Sequence, residues 1–247
     1  MSLAAPAVTP LRSHAGASFC CRTLEALGFR TEPQPEVLVA GCGAGHEAAL
    51  LQQALSARVT AIDIQLDDPG EYADWPDLEM YEASVLDLPF EADRFDLVFY
   101  HHVIEHVSDP ARSLGELARV LSPVGWLFLG TPNRHRLVSA LGAHPQRDWQ
   151  STVGAKVREN LHDWRARLAG RFRNELGAHA GFSTRELDRM LAPHFAVRRW
   201  LTREYLRFKY GAGKRRRLVR LLTARPWIGW AAPSIYVLCR KDPRESR

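Results

Sequence analysis

The residues of this sequence that could hold a small molecule begin with a glycine cluster. Gly41, Gly43 and Gly45 follow the apolar run Val37–Ala40 at alternate positions. Glycine lets a backbone approach a ligand where a Cβ would clash, so this pattern indicates a ligand-binding loop. Asp63 lies 20 residues after Gly43, at the end of the next predicted strand, where its carboxylate could accept both hydroxyls of a ribose. Nicotinamide dinucleotides and S-adenosylmethionine both contain such a ribose, and these features alone do not distinguish them.

A second group of reactive side chains lies in HHVIEHV, residues 101–107. A histidine titrates near neutral pH and suits general-base work on an oxygen or nitrogen nucleophile. We predict His102 and His106 as catalytic residues. The alternative is that His106 orients the helix start and the cofactor loop. His102, Glu105 and His106 also have the HxxEH zinc spacing, but here it crosses a predicted strand-to-helix turn, so we predict no metal site.

The elements that must position these residues follow from the hydrophobic pattern. Strands are predicted at Val37–Ala40, Arg58–Ile64, Leu78–Tyr81, Phe95–Tyr100, Trp126–Gly130, Phe195–Leu201 and Ser234–Cys239. Helices are predicted at Ala15–Leu27, His46–Leu55 and Asp109–Leu121. The alternation of strands and helices indicates a parallel, doubly wound α/β sheet, in which ligands bind at the carboxyl ends of the strands.

The second half of the chain carries two further helix signals. The apolar residues Leu161, Trp164, Leu168 and Phe172 recur at spacings of three and four, which predicts one stripe on a helix whose other face is rich in arginine. Ser183 stands three residues before Glu186, which predicts a capping box at the start of another helix.

The segment DLPFEADRFDLVFYHHVIEHVSDPARSLGELARVLSPVGWLFLGTPN, residues 87–133, resembles the class I S-adenosylmethionine-dependent methyltransferases, in the group that contains the ubiquinone-type enzymes. The shared motifs are GCGxG, a strand that ends in an acid, LPF, FD, EH, RVL-x-P-x-G and TPN. The resemblance returns weakly at 179–191, where the family's chain often comes back to the active site, and it thereby implies His179 as a further catalytic residue. A capping or packing role for this segment is the alternative. The resemblance is dense over residues 34–133. It implies a Rossmann-like fold with a seven-stranded sheet, the last strand antiparallel, and S-adenosyl-L-methionine as cofactor. The LPF, EH and TPN series argues against a dinucleotide oxidoreductase.

The resemblance also assigns residues to the cofactor by position. It implies that the glycine loop passes under the methionine part, that Asp63 takes the ribose hydroxyls and that Ile64 lies against the adenine. The backbone around Val85 and Leu86 would read the adenine edge. The full predicted set is Gly41, Gly43, Gly45, Asp63, Ile64, Ser84, Val85, Leu86 and His101, the last beside the methionyl group.

Two positions depart from the family pattern. Val39 stands where the family usually has an acid that supports the cofactor's amino group through water, and Ser84 stands where an acid commonly meets the adenine amino group. The two losses predict cofactor binding weaker by about 1 to 3 kcal/mol in total, from the usual worth of a hydrogen bond. A non-catalytic cofactor-binding protein is therefore one alternative function.

Charge is unevenly distributed along the chain. The first 133 residues hold 7 Lys and Arg against 19 Asp and Glu, whereas residues 134–247 hold 26 against 9. We expect a single methyltransferase domain over residues 1–247, with a loose tail at 1–12, a cofactor-binding core at 13–133 and basic substrate-recognition insertions at 134–180 and 202–232. The asymmetry favours an anionic partner for the second half, with a solvated helix surface as the alternative.

The basic cluster of the second insertion lies beside tryptophans. It consists of Lys214, Arg215, Arg216 and Arg217, followed by Trp227, Ile228 and Trp230. This composition suits the interface of an anionic membrane or a lipid-linked or phosphorylated acceptor, with RNA as the alternative. The sequence does not predict an oligomeric state.

Composition restricts the compartment. No apolar run reaches the length of a membrane span, and the N-terminus lacks the apolar stretch of a secretory signal. Cys20, Cys21, Cys42 and Cys239 show no CxxC pairing, so we expect free thiols in a reducing compartment. We therefore expect a cytoplasmic protein, with contact at the inner face of a membrane as a possibility for its basic segments.

Overall fold

The computed structural model describes residues 14–66, 72, 75–137, 153–176, 179–211, 216–224 and 228–241. The strands in this part of the chain are β1 (Glu36–Ala40), β2 (Arg58–Asp63), β3 (Leu78–Glu82), β4 (Phe95–His101), β5 (Leu121–Pro132), β6 (Val197–Trp200) and β7 (Ser234–Arg240). The α-helices are α1 (Ala15–Ala26), α2 (His46–Leu55), α3 (Pro110–Val120), α4 (Val153–Leu168), α5 (Thr184–Leu191), α6 (Thr202–Tyr210), α7 (Arg216–Leu222) and α8 (Ile228–Ala231). Not one of these helices is both long and apolar enough to span a bilayer.

The strands form one sheet in the order β3-β2-β1-β4-β5-β7-β6. The pairs from β3 to β5 are parallel, whereas β7 runs antiparallel to both of its neighbours. This topology confirms the predicted seven-stranded, Rossmann-like sheet with an antiparallel last strand. Because β1 lies between β2 and β4, the loops that follow these three strands meet at one edge of the sheet.

Helices cover both faces of the sheet. Leu24 of α1, Leu51 of α2 and Tyr205 of α6 belong to the apolar cluster on one face. Leu114 of α3 and Leu187 of α5 belong to the cluster on the other face. Alternate residues of β1 enter the two clusters, which explains why this strand is a continuous apolar run without polar alternation.

The fifth strand differs from the prediction in where it begins. The predicted helix end at Leu121 is one residue too long, because Leu121 already has extended backbone with φ −74° and ψ 136°. The strand then runs to Pro132, well beyond the predicted span Trp126–Gly130. The register of its pairing with β4 shifts between Phe95 and Leu97. The first residues of β5 therefore precede an irregularity in the pairing, which the apolar pattern of the sequence does not reveal.

Helix α4 begins earlier than its apolar stripe indicated and leaves that stripe in solvent. Leu161 is 51% exposed and Trp164 is 43% exposed. Phe172 lies beyond the end of the helix at Leu168, so the prediction that it continues the stripe is wrong. The guanidinium of Arg167 instead lies over the Phe172 ring, 3.9 Å from its centroid.

Some predicted segments fall outside the described residues. These are the tail at 1–12, positions 138–152 and 177–178 of the first insertion, and positions 212–215 and 225–227 of the second insertion, which include Lys214, Arg215 and Trp227. The four cysteines are free thiols, and Cys20, Cys42 and Cys239 are buried.

The predicted capping box at the start of α5 is present. The Ser183 hydroxyl accepts a hydrogen bond from the Glu186 backbone N–H, and the Glu186 carboxylate accepts one from the Ser183 N–H. The box therefore satisfies two backbone donors at the start of a helix of 8 residues.

We expect Ser183→Ala to lower the free energy of unfolding by about 0.5 to 2 kcal/mol, because it removes one acceptor of the capping box. Urea unfolding monitored by circular dichroism measures this loss. Thr184→Ala, at the exposed neighbouring position, is the matched control. Equal stability of the two variants would contradict a capping contribution.

Candidate active site

The glycine loop joins β1 to α2 and presents two different surfaces. Gly41 and Gly43 have positive φ angles of 82° and 50°. A Cβ on Gly41 would overlap the Val103 side chain, so this position must lack a side chain for the loop after β4 to pack against it. A Cβ on Gly43 would meet no atom within 4 Å. The loop therefore closes against protein at Gly41 and faces open space at Gly43.

Asp63 is fixed beside that open surface. Its Oδ2 accepts a 2.8 Å hydrogen bond from the Gly43 N–H, and its Oδ1 accepts one of 2.8 Å from the Ile64 N–H. Each carboxylate oxygen can accept a further bond, so both remain able to receive a hydroxyl. The Ile64 side chain is 81% exposed, which offers an apolar surface next to the carboxylate.

A turn follows β3 on the far side of Asp63. The Leu86 N–H donates to the Ser84 Oγ at 3.2 Å, and the Asp87 N–H donates to the Ser84 backbone carbonyl at 3.2 Å. Val85 packs partly against the apolar cluster of the α3 face. Since β3 neighbours β2, this turn and Asp63 lie at adjacent strand ends.

His101 lies under the N-terminal helix with both ring nitrogens engaged. Its Nδ1 is 3.1 Å from the Glu47 Oε2, and its Nε2 is 3.3 Å from the Tyr236 hydroxyl. A Cβ on Gly16 of α1 or on Gly130 of β5 would overlap the imidazole. The ring is therefore enclosed by protein, and its predicted contact with a ligand remains a prediction.

His102 is anchored by a buried acid. Its Nδ1 lies 3.3 Å from the Glu105 Oε1, while the Glu105 Oε2 accepts a 3.0 Å hydrogen bond from the Thr131 hydroxyl. Burial and the neighbouring His101 lower the pKa of His102 against the opposing effect of Glu105. Burial by itself would raise the pKa of Glu105, but its hydrogen bond and charge interaction with His102 bring it below the usual value.

The other two predicted catalytic histidines meet each other. The rings of His106 and His179 lie 4.7 Å apart at an angle of 75°. Burial, and then the proximity of His106, lowers the pKa of His179. The buried Arg136 side chain fixes this arrangement, because it donates to the His179 carbonyl at 3.1 Å and to the Asp163 carboxylate at 2.9 Å.

The structure thus places the predicted residues in two neighbouring groups. The glycines, Asp63 and the turn at Ser84 lie at the ends of β1, β2 and β3, and the three histidines lie in the loops that follow β4 and precede α5. Sequence reasoning missed four polar residues that hold these groups, namely Glu47, Thr131, Arg136 and Tyr236. Two of them had a readable signal, Glu47 as an acid in the first turn of the helix after the glycine loop and Thr131 as the first residue of the TPN motif. Within the described residues no group of three or more potential ligands could hold a metal ion.

Comparison with known proteins bears on the same residues. A family model described as a methyltransferase domain matches residues 38–129. A probable S-adenosylmethionine-dependent methyltransferase of Mycobacterium tuberculosis is 37% identical over 100 residues, which cover 40% of this chain and 36% of the relative. A ubiquinone biosynthesis O-methyltransferase of Coxiella burnetii is 35% identical over 107 residues, which cover 40% of this chain and 44% of the relative. The match thus spans less than half the length of these curated relatives.

Solved structures match over most of the chain. The YcgJ protein of Bacillus subtilis has a TM-score of 0.56 at 16% identity, covering 92% of this chain and 99% of that one. The plantazolicin methyltransferase BpumL, solved with S-adenosylhomocysteine, has a TM-score of 0.56 at 14% identity, covering 93% of this chain and 84% of that one. These likenesses support the fold, and the sequence matches confirm the resemblance predicted from the motifs.

We expect the stability of the protein to fall as pH is lowered from 7.5 to 5.5. Burial lowers the pKa values of His14, His102 and His179 below the ordinary value of 6.5. The unfolded chain therefore binds more protons than the folded protein once the pH falls below about 6.5, and this favours unfolding. Urea unfolding across this pH range measures the effect. His102→Gln should show a shallower loss than the parent protein, and unchanged or higher stability at pH 5.5 would contradict the prediction.

Proposed function

We propose that this protein, whose residues 38–129 match a methyltransferase-domain model, transfers a methyl group from S-adenosylmethionine to an acceptor. The observation that carries the proposal is Asp63, fixed at the end of β2 beside the open surface of the glycine loop. The residues fit the cofactor, because Gly43 leaves space above the loop, Asp63 offers oxygens to a ribose and Ile64 offers an exposed apolar surface to an adenine.

Each part of the site has a role in this proposal. Asp63 binds the ribose hydroxyls, Ile64 lies against the adenine, and the backbone of Ser84–Leu86 contacts its edge. The bound cofactor supplies an activated methyl group on its sulfonium, so the protein needs chiefly to align the acceptor and exclude water. The loops that carry the histidines are the elements placed to do this.

His102 is the residue best suited to act as a base. Glu105 engages its Nδ1, which favours the tautomer whose Nε2 carries the free lone pair that a base needs. Its lowered pKa favours the neutral ring at pH 7, as a base requires. His102 and His179 both have positive φ angles, 58° and 43°, and such backbone in residues other than glycine is often retained at functional sites.

We expect the protein to bind S-adenosylmethionine and S-adenosylhomocysteine, and Asp63→Ala to weaken both by about tenfold or more. A hydrogen bond to a charged group contributes about 1.5 to 3 kcal/mol, and this change removes an ionised acceptor. Isothermal titration calorimetry measures the affinities. Asp77→Ala, which removes an acid at the opposite end of the sheet beside the start of β3, is a control for charge.

Two outcomes would overturn parts of this proposal. Binding of a nicotinamide dinucleotide without binding of S-adenosylmethionine would refute the cofactor. Persistent absence of labelled methyl transfer into a fractionated cell extract, despite cofactor binding, would favour the non-catalytic alternative.

We infer an acceptor that is a small molecule, a lipid-linked compound or a phosphorylated compound, recognised by the segments 134–180 and 202–232. The support comes from a surface that joins these segments. The Trp164 indole N–H of α4 donates to the Leu137 carbonyl at 3.3 Å, and the Leu137 N–H donates to the Trp230 carbonyl of α8 at 2.9 Å. The three side chains of this surface are exposed, namely those of Leu137, Trp164 and Trp230.

Charge accompanies these exposed apolar groups. Arg165 and Arg171 are exposed on and after α4, and Arg217 and Arg220 are exposed on α7. Indoles beside cations suit the headgroup region of an anionic bilayer. RNA is the second candidate partner, because the same side chains could contact phosphates and stack on bases.

We expect the protein to float with vesicles of phosphatidylcholine that contain 30% phosphatidylserine at low salt, and to dissociate as salt is raised. Replacing Lys214, Arg215, Arg216 and Arg217 with Gln should reduce flotation severalfold. A matched control replaces four arginines that are exposed elsewhere on the protein, and it removes the same amount of positive charge. These are Arg30, Arg112, Arg185 and Arg189. A gel shift with RNA at salt concentrations that abolish flotation would instead favour the RNA alternative.

A further inference from the structure

Glu47, in the first turn of α2, has a buried carboxylate oxygen that lacks a partner. Its Oε2 is engaged by the His101 Nδ1 at 3.1 Å. Its Oε1 is buried from solvent and has no hydrogen-bond partner among the described residues. A buried carboxylate oxygen without a donor is costly, so its retention requires an explanation such as a ligand or an ordered water.

The surroundings of Glu47 favour its charged form. Burial would by itself raise the pKa of this carboxyl, but His101, followed by His102 and His14, holds it below the usual value. A negative charge is thus kept near the loop that faces open space at Gly43. This charge suits a cation, and the described residues provide no lysine or arginine hydrogen-bonded to Glu47.

The fold places this charge along the path of a ligand held at Asp63. The order β2-β1-β4 means that a molecule with its ribose at Asp63 and extended over the glycines reaches the end of β4, where His101 lies. The last residues of β1, Val39 and Ala40, carry no charge that could meet such a ligand. The Val39 side chain is buried in the apolar cluster. Through its contact with His101, Glu47 places a carboxylate at this end of the path.

We propose that the Glu47 Oε1 binds the α-ammonium group of the cofactor's methionyl part. This inference rests on the proposed function and extends it to the amino-acid end of the cofactor. S-Adenosylmethionine and S-adenosylhomocysteine both carry the ammonium, and a charge-assisted hydrogen bond to it would satisfy the unpartnered oxygen. The alternative is that Glu47 serves only to hold the His101 ring.

The test compares three ligands that differ at the amino-acid end. They are S-adenosylhomocysteine, its analogue with hydrogen in place of the α-amino group, and 5′-methylthioadenosine, which lacks the amino-acid head. Glu47→Gln should weaken S-adenosylhomocysteine binding about 10- to 100-fold, the range for a bond to a charged group. It should change the affinity for the other two ligands by less than about twofold.

Glu36→Gln is the matched control, because the Glu36 Oε2 is also buried and accepts no hydrogen bond, although an Arg94 nitrogen lies 3.7 Å from it. Glu36 lies at the opposite end of β1. This variant should leave all three affinities unchanged. Glu47→Asp keeps the charge, so this variant should still bind S-adenosylhomocysteine more tightly than the analogue without the α-amino group. This second variant keeps the test decisive if Glu47→Gln does not fold. Thermal unfolding of each variant checks folding.

The outcomes separate the two proposals. If the parent protein binds none of the three ligands, the proposed function fails and this inference fails with it. If the parent protein binds them but Glu47→Gln weakens all three equally, Glu47 supports the loop and the ammonium assignment is wrong. Unchanged S-adenosylhomocysteine affinity in Glu47→Gln would also overturn it.

Discussion

The parallel pairing of β1 between β2 and β4 is the constraint on which the site depends. This pairing brings the glycine loop, Asp63 and the histidine segment to one edge of the sheet. The Gly41 and Cys42 N–H groups both donate to the Ile62 carbonyl, at 2.7 and 2.9 Å, so the loop begins tied to the neighbouring strand. The hydrogen bond from Gly43 to Asp63 continues that connection beyond the sheet. The position of Asp63 therefore follows from strand register together with one loop contact.

The part of the fold that the sequence predicts well is the part encoded locally. Helix α2 has the predicted bounds, since its apolar period, its preceding glycine and its acid all lie within a few residues. The environment of His101 could not be predicted, because its partners Glu47 and Tyr236 lie 54 and 135 positions away. The exposed stripe of α4 was misleading for a related reason. Periodicity indicates that a helix has an apolar face, but it does not indicate what covers that face.

The chain after β5 links the basic segment to the histidines. Arg134 donates to the Gly181 carbonyl at 3.1 and 2.9 Å, and Arg136 donates to the carbonyls of His179 and Ala180. Two arginines on alternate positions thus hold the backbone before α5 against the end of β5. Because Arg136 also pairs with Asp163 of α4, a displacement of that helix would be transmitted to His179 through one buried guanidinium. The segment proposed to recognise the acceptor is therefore mechanically connected to a candidate base.

The enclosure of the His101 ring has a consequence for how this sequence can vary. The imidazole fills space that depends on two distant positions having no side chain, Gly16 in α1 and Gly130 in β5. A larger residue at position 16 is compatible only with a smaller residue at 101, and a larger residue at position 130 would in addition have to displace the Tyr236 ring. A smaller residue at 101 would leave a void unless one of the glycines gained a side chain. Positions 16, 101 and 130 should therefore covary among related proteins as one steric unit, even though more than a hundred residues separate the first from the last.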